Sequence, residues 1–357
     1  MIKIKNVKTV VGDVITHTIP SEEWKEIDAE GRLHLLPAMI DPHISLGSEG
    51  SEQWNLSIDS IIRGGITSII EIPHEFSTSN MKKELEDKNR RVESILNKLD
   101  IPLNYSQYLL YSDSKDEELD VSAFKKSLIK GAVIHLEHHH SNMTEKGWEN
   151  LFRLAAQEDI PIILNSFEGD SKKKTRLPTI EKAIKHTESW SNRLYILNVA
   201  SQREIDLIQE GQERSLLIYA ETNPKHLFSG DNTEADCLWK ALNAGVIETL
   251  GSGFSLAQKS KDKIMFRGRE HTILDPRFLL PLLLTAFRDK GISLEQFTQL
   301  TSTNIQNILE FEKNQDCVLV DLEKEDVIQK VRNGSSVDHK LIGWPVYTVV
   351  NGQVFVS

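Results

Sequence analysis

The sequence predicts an α/β protein: a (β/α)8 barrel of the TIM type joined to a small β-sandwich domain built from both chain termini. Three observations lead there. Between Leu36 and about Glu310, apolar runs of strand length alternate with helical stretches, the pattern of a parallel sheet closed by helices. At both ends the helices give way to short strands of alternating apolar and polar residues. The chain, 357 residues with 39% hydrophobic content, can bury the core of one barrel with additions. The expected division is residues 1–36 for the N-terminal part of the β-domain, 37–310 for the barrel and 311–357 for the C-terminal part.

Residues 1–36 alternate around Gly12-Asp13 and end at the turn Ala29-Glu30-Gly31. The run from Leu35 through Pro37 to Asp41-Pro42-His43-Ile44-Ser45 reads as a buried strand that delivers polar side chains at its C-terminal tip. A helix over 56–64 stops at Gly64-Gly65, before the strand Ile66–Pro73. A charged helix over 81–99 precedes a Tyr-rich strand at 103–111, and a helix over 121–130 precedes Gly131–Leu136. Helices over 145–158, 178–188 and 201–210 precede the strands Ile160–Asn165, Arg193–Asn198 and Ser215–Ala220. A helix over 233–244 leads to Val246–Leu250, and helices over 277–289, 293–300 and 303–310 close the barrel region. Cys317–Leu322 and Val346–Val356 return to strand character, with Asn351-Gly352 as a hairpin turn and Asn333-Gly334-Ser335-Ser336 as a loop.

Composition narrows the function classes. A net charge of −11 argues against a nucleic-acid or anionic-membrane surface, since both require clustered positive charge. No run reaches the length of a membrane span, and Met1-Ile2-Lys3-Ile4-Lys5 is not the start of a signal peptide. Cys237 and Cys317, far apart in sequence, are expected as buried thiols in a reducing cytoplasm.

The strand ending Asp41-Pro42-His43-Ile44-Ser45 resembles the first barrel strand of the amidohydrolase superfamily, most closely that of the dihydroorotases and related cyclic amidohydrolases. There the segment reads roughly Leu-Pro-Gly-Phe-Ile-Asp-x-His-x-His. The resemblance implies a site at the strand ends in which a carboxylated lysine, four histidines and an aspartate hold two metals, zinc ancestrally, and a bound hydroxide attacks an amide carbonyl. It covers nearly the whole chain, so each position can be carried over in turn. His43 keeps the first histidine, but Ser45 stands at the second. Gly64-Gly65-Ile66-Thr67 through Pro73-His74 follows the second strand, with His74 at the substrate-holding asparagine and Gly47 at the substrate-binding arginine. The bridging lysine falls on Leu136, or on His135 with a one-residue slip. The next two histidines are Asn165 and Asn198, and the catalytic aspartate is Gly253. Of the six ligand positions, His43 alone keeps a ligand; asparagine is a poor one for zinc.

The scaffold signals persist. Glu221-Thr222-Asn223-Pro224-Lys225-His226-Leu227-Phe228 is similar to the family's Glu-Val-Thr-Pro-His-His-Leu-Phe, and Asp316–Asp321, Gly343-Trp344 and Val349–Gly352 are similar to its C-terminal strands. The expectation is a vestigial pocket of His43, Ser45, His74, His135, Asn165, Asn198 and Gly253, with no catalytic residue assigned and no cofactor, the ancestral zinc being lost. His43, His138 and His140 are the weak metal candidates; in Glu137-His138-His139-His140, adjacent histidines on an extended segment point to opposite sides, and the segment reads as a solvated loop. Ser45 and Ser252 lack the surroundings of a nucleophile, the run Ser171–Arg176 reads as a basic loop, and His186, His271 and His339 read as surface residues.

These positions imply a non-catalytic homologue in a structural or regulatory role, with a protein partner such as the aspartate carbamoyltransferase of pyrimidine synthesis. One alternative is a hydrolase of cyclic amide C–N bonds with an altered or single-metal site. Another is a small-molecule binding protein using the old pocket. A homo-oligomer is expected, without nucleic-acid or membrane partners.

Overall fold

The computed structural model describes all residues except 48, 74–80, 112–127, 136–142, 166–172, 231, 256–262, 273–274 and 329–336. Seven parallel barrel strands follow one another, each hydrogen-bonded to the next: Met39–Ser45, Ile66–Glu71, Asn104–Leu110, Ile129–His135, Ile162–Asn165, Leu194–Ile196 and Ile218–Thr222. The eighth comes in two pieces. Thr249–Leu250 pairs with the seventh strand (Glu221 opposite Thr249), and Phe254–Ser255 pairs with the first (Phe254 opposite Ile44). Gly251-Ser252-Gly253 joins them, so the sheet closes on itself through one short interrupted strand.

Alternation along these strands explains their continuous apolar character. Ile40, Ile70, Tyr108, Val133, Ile163 and Tyr195 face inward and form one cluster, sealed by Ile305, Ile308 and Leu309. Their neighbours Ile69, Leu109, Ala132, Ile134, Ile162 and Ile196 belong to the larger cluster shared with the helices. A strand buried on both faces has no polar side to show. The helix Glu52–Arg63 illustrates the outer layer. Ser51 caps it by accepting from Trp54 N at 3.2 Å, and Trp54, Ile58, Ile61 and Ile62 lie on its buried stripe.

Strands from both termini share one mixed sheet, in which His34–Pro37 pairs with Cys317–Asp321 and Ile2–Lys8 with Val14–Ile19. This sheet also holds Lys25–Asp28, Trp344–Val350 and Gln353–Val356. The barrel with a sheet from both termini is the fold the sequence predicts.

Asp316 fastens sheet to barrel. Its carboxylate accepts from Asn351 N and from Asn104 Nδ2, both at 2.8 Å, while its carbonyl accepts from Ala38 N at 3.1 Å. Burial raises its carboxyl above the ordinary range, opposed by the hydrogen bonds from Asn351 N, Thr67 and Asn104.

Several local expectations are corrected. The helix placed at 178–188 runs from Lys173 to Trp190, because tertiary contacts of Arg176 hold its first turn. Most of the supposed basic loop is therefore helical; residues 171 and 172 lie outside the described part. His271 is buried in an unforeseen hairpin of Lys263–Phe266 and Arg269–Thr272. His186 is half-buried and stacks on Trp148 with centroids 5.7 Å apart. Residues 121–127 of the helix expected at 121–130, and the loop at 333–336, fall outside the described residues, while Ile129 and Lys130 belong to the fourth strand and not to that helix. Both cysteines are free, and burial pushes the Cys317 thiol up to about 12. Among the described residues, no helix is long and apolar enough to cross a membrane.

Candidate functional site

The C-terminal half of the first barrel strand carries Asp41, His43 and Ser45, and its pairing with the second strand shifts register between Asp41 and Ile44. All three are buried. Asp41 Oδ1 accepts from His43 N at 3.1 Å and from Ser252 N at 3.0 Å, and Oδ2 accepts from Ser252 Oγ at 2.5 Å. Burial raises this carboxyl, and the three donors oppose the shift. Ser252 is thereby a strut between the first and eighth strands. Its hydroxyl also accepts from Phe254 N at 3.0 Å.

His43 faces a second buried carboxylate. Its Nδ1 lies 3.5 Å from Glu221 Oε2, at the end of the seventh strand. Glu221 Oε2 accepts from Asn198 N at 2.7 Å. Its other oxygen presses on Gly251, where an added Cβ would stand 2.4 Å from Oε1 and 3.0 Å from His43 Cβ. The seam of the barrel needs a glycine there for that reason.

Asn198 follows the sixth strand with φ +61°, in the left-handed region that asparagine visits more readily than most residues. Its Nδ2 donates to Asn165 Oδ1 at 3.0 Å, and its Oδ1 accepts from Asn223 Nδ2 at 2.6 Å. Asn223 caps the short helix Pro224–Leu227, its Oδ1 accepting from Lys225 N at 3.1 Å. That last contact sets the sense of the chain. A backbone N–H can only donate, so Oδ1 of Asn223 must face it and Nδ2 must face Asn198. The same logic orients Asn198 toward Asn165. Three amides from three strand ends thus form a polarised relay. Gly253 lies against it: an added Cβ would meet Asn223 Nδ2 at 3.0 Å and Cγ at 3.1 Å, and φ is +60°.

The structure therefore brings His43, Asn165, Asn198 and Gly253 into one network, with Ser45 beside it, paired to Ser255 of the eighth strand. His135 ends the fourth strand opposite Asn165 in register. His74, Leu136, His138 and His140 lie outside the described residues. Among the described residues, no group of three or more His, Cys, Asp or Glu is placed to hold a metal ion.

Sequence reasoning left several participants unassigned. Asp41, Glu221, Asn223 and Ser252 were all in quoted motifs but read as scaffold or, for Ser252, as a nucleophile question. Arg176 ion-pairs with Glu204 and donates to Asn198 O at 2.6 Å, holding the sixth strand's tip. His226 is half-buried as a residue, with its ring Nε2 turned inward. Burial of its ring, then the cations of Arg176 and Lys225, lowers its pKa to about 3, so it is neutral near pH 7. The signal for it was the Pro-x-His spacing after Glu221. Beneath this layer Tyr108 donates to Pro42 O at 2.9 Å, and its phenol is raised well above the ordinary range by burial, then by Glu221 and Asp41.

Glu248 sits below the mouth at the start of the eighth strand's run. Its carboxylate accepts from Ala220 N at 3.0 Å and Gln212 Nε2 at 3.2 Å, yet burial raises it to about 8. The folded state thus keeps a proton that the unfolded chain releases near its ordinary value of 4.5. Stability from this group is full below that value and is lost as pH rises toward 8, by up to about 1.4 kcal/mol per pH unit. The unfolding midpoint of Glu248→Gln should fall less between pH 5 and 8 than that of the parent, as read by thermal melts at each pH. Parallel curves for the two proteins would refute this.

A recess of about 650 Å³ at the opposite end of the barrel is lined by Asn104, Lys130, Arg193 and Phe311 and contains none of the mouth residues.

No protein-family profile matches the chain. It is 22% identical to a dihydroorotase of Methanosphaera stadtmanae, over 84% of this chain and 77% of that protein. It is also 22% identical to a D-hydantoinase of Geobacillus stearothermophilus, over 96% of this chain and 87% of that one. Among solved structures, a D-hydantoinase from Bacillus sp. AR9 superposes with a TM-score of 0.80 at 17% identity, covering 99% of this chain and 95% of that one. A dihydropyrimidinase from Brevibacillus agri gives 0.75 at 18%, covering 99% and 94%.

Proposed function

We propose that this relative of the cyclic amidohydrolases, a chain with the fold of the amidohydrolase superfamily, has exchanged metal-dependent hydrolysis for a structural or regulatory role. The observation that carries the reading is the amide relay. Where the superfamily's resemblance puts metal-binding histidines, Asn165 and Asn198 bond to each other, and Asn198 in turn to Asn223. Amide groups supply neither the charge nor the basicity that holds a hydrolytic zinc or lowers the pKa of its water.

The described donor set does not fit a metal pair. Asp41 is engaged by Ser252 and the His43 main chain, Glu221 by Asn198 N, and position 253 has no side chain. One arrangement favours a second reading, a single-metal site. His43 keeps a buried carboxylate at its Nδ1 side, as the outer side of a metal-binding histidine commonly does. A lone imidazole is still two ligands short of a hydrolytic site.

Elemental analysis after mild purification, with dihydroorotate and hydantoin hydrolysis measured in added zinc and manganese, separates the readings. The expected result is metal well below one equivalent and no turnover above buffer. Stoichiometric metal that is lost in His43→Ala, together with turnover, would overturn the proposal. The regulatory role predicts a protein partner. The sequence resemblance suggests an aspartate carbamoyltransferase, and co-purification of that enzyme with the tagged chain from its own cells is the check.

A further inference from the structure

We infer that Asn223 closes the former catalytic-carboxylate position, Gly253, to any side chain, and so fixes the mouth in its amide form. The inference rests on the metal-free reading above but concerns a residue outside the positions where the resemblance places ligands. Asn223 reaches Gly253 with its amide, leaving 3.0 Å between Nδ2 and a Cβ built there. Such a contact is tighter than packed side chains accept without displacement.

Asn223 cannot easily yield. Its Oδ1 is held at 3.1 Å by Lys225 N, and its Nδ2 by Asn198 Oδ1 at 2.6 Å. Swinging the side chain away would break both the helix cap and the bond to Asn198. The residue that the resemblance expects here is threonine, which is shorter and carries no second donor. The empty position at 253 and the amide at 223 are therefore one steric exchange. Restoring a carboxylate at 253 requires removing Asn223 as well.

The test is a double-mutant cycle read by thermal unfolding, with circular dichroism confirming the fold of each variant. Gly253→Ala should lower the midpoint by about 5 °C or more in the parent, from overpacking and the left-handed backbone together. In an Asn223→Thr background the same change should cost less than half as much. Gly253→Asp should follow the same order, and where it fails to fold in the parent, the Ala pair decides. Equal losses in both backgrounds would overturn the inference, because they would trace the intolerance to backbone conformation alone. Stoichiometric zinc in the unmodified protein would instead sink the metal-free reading, and leaves the packing result to be judged on its own.

Discussion

Asp41→Ala is expected to destabilise the fold by about 3–5 kcal/mol and to lower the unfolding midpoint by about 5–10 °C. The reason lies in how the barrel closes. Its eighth strand offers two residues to the seventh strand and two to the first, with Gly251-Ser252-Gly253 between them. Few ladder hydrogen bonds hold that seam. Asp41 adds two across it, both to Ser252 and partly buried, and a buried third within its own strand to His43 N. Alanine removes the acceptors and leaves Ser252 N and His43 N without them, each a loss of about 1–3 kcal/mol where the group is buried. Asp41→Asn should cost far less, since its amide oxygen still accepts both backbone N–H groups and the Ser252 hydroxyl can turn to accept. Thermal and urea unfolding of the two variants gives the comparison. An alanine variant within a degree or two of the parent would mean that strand pairing alone closes the barrel.

The second large effect is expected at Asn198. Asn198→Ala should cost about 2–4 kcal/mol, for two reasons that add. It removes the hydrogen bonds to Asn223 Nδ2 and to Asn165 Oδ1, both on buried residues. It also puts a residue without a local hydrogen-bonding side chain at φ +61°. Asn198→Asp separates the two. It keeps the left-handed preference and the acceptor for Asn223 but cannot donate to Asn165, so its loss should fall between alanine and the parent. Equal losses for both variants would show that the relay contributes nothing beyond backbone conformation. Urea melts, with slopes checked for two-state behaviour, supply the numbers.

Why the barrel and the terminal sheet could be read from the chain is plain from their residues. Ile66–Glu71 and Ile162–Asn165 are short, apolar and bounded by turns, and such runs have few other places to go. The eighth strand was less legible. Val246–Leu250 looks continuous, but only Thr249 and Leu250 pair, and Phe254-Ser255 completes the closure from beyond two glycines. Pairing partners on opposite sides are a tertiary fact that no local pattern carries. The same holds for Arg176. In sequence it ends a basic run; in space its charge is spent on Glu204 and two backbone carbonyls. At the mouth, matching motifs pointed to His43, Asn165, Asn198 and Gly253, but not to the contacts these residues make. Nothing in the spacing of Asn165, Asn198 and Asn223 shows that the three amides touch.

The shared terminal sheet has a consequence for how the protein is made. Leu36 pairs with Val318, and Pro37 with Cys317. At about 5–20 residues per second of synthesis, the N-terminal strands wait on the order of 15–60 s for that partner. Throughout that interval Leu35 and Leu36 have an unfilled strand edge while the barrel segments emerge, a state prone to mispairing with other nascent chains. A ribosome-stalled fragment ending before Cys317 should therefore stay bound to holding chaperones, and release should follow once the strand through Asp321 has cleared the exit tunnel.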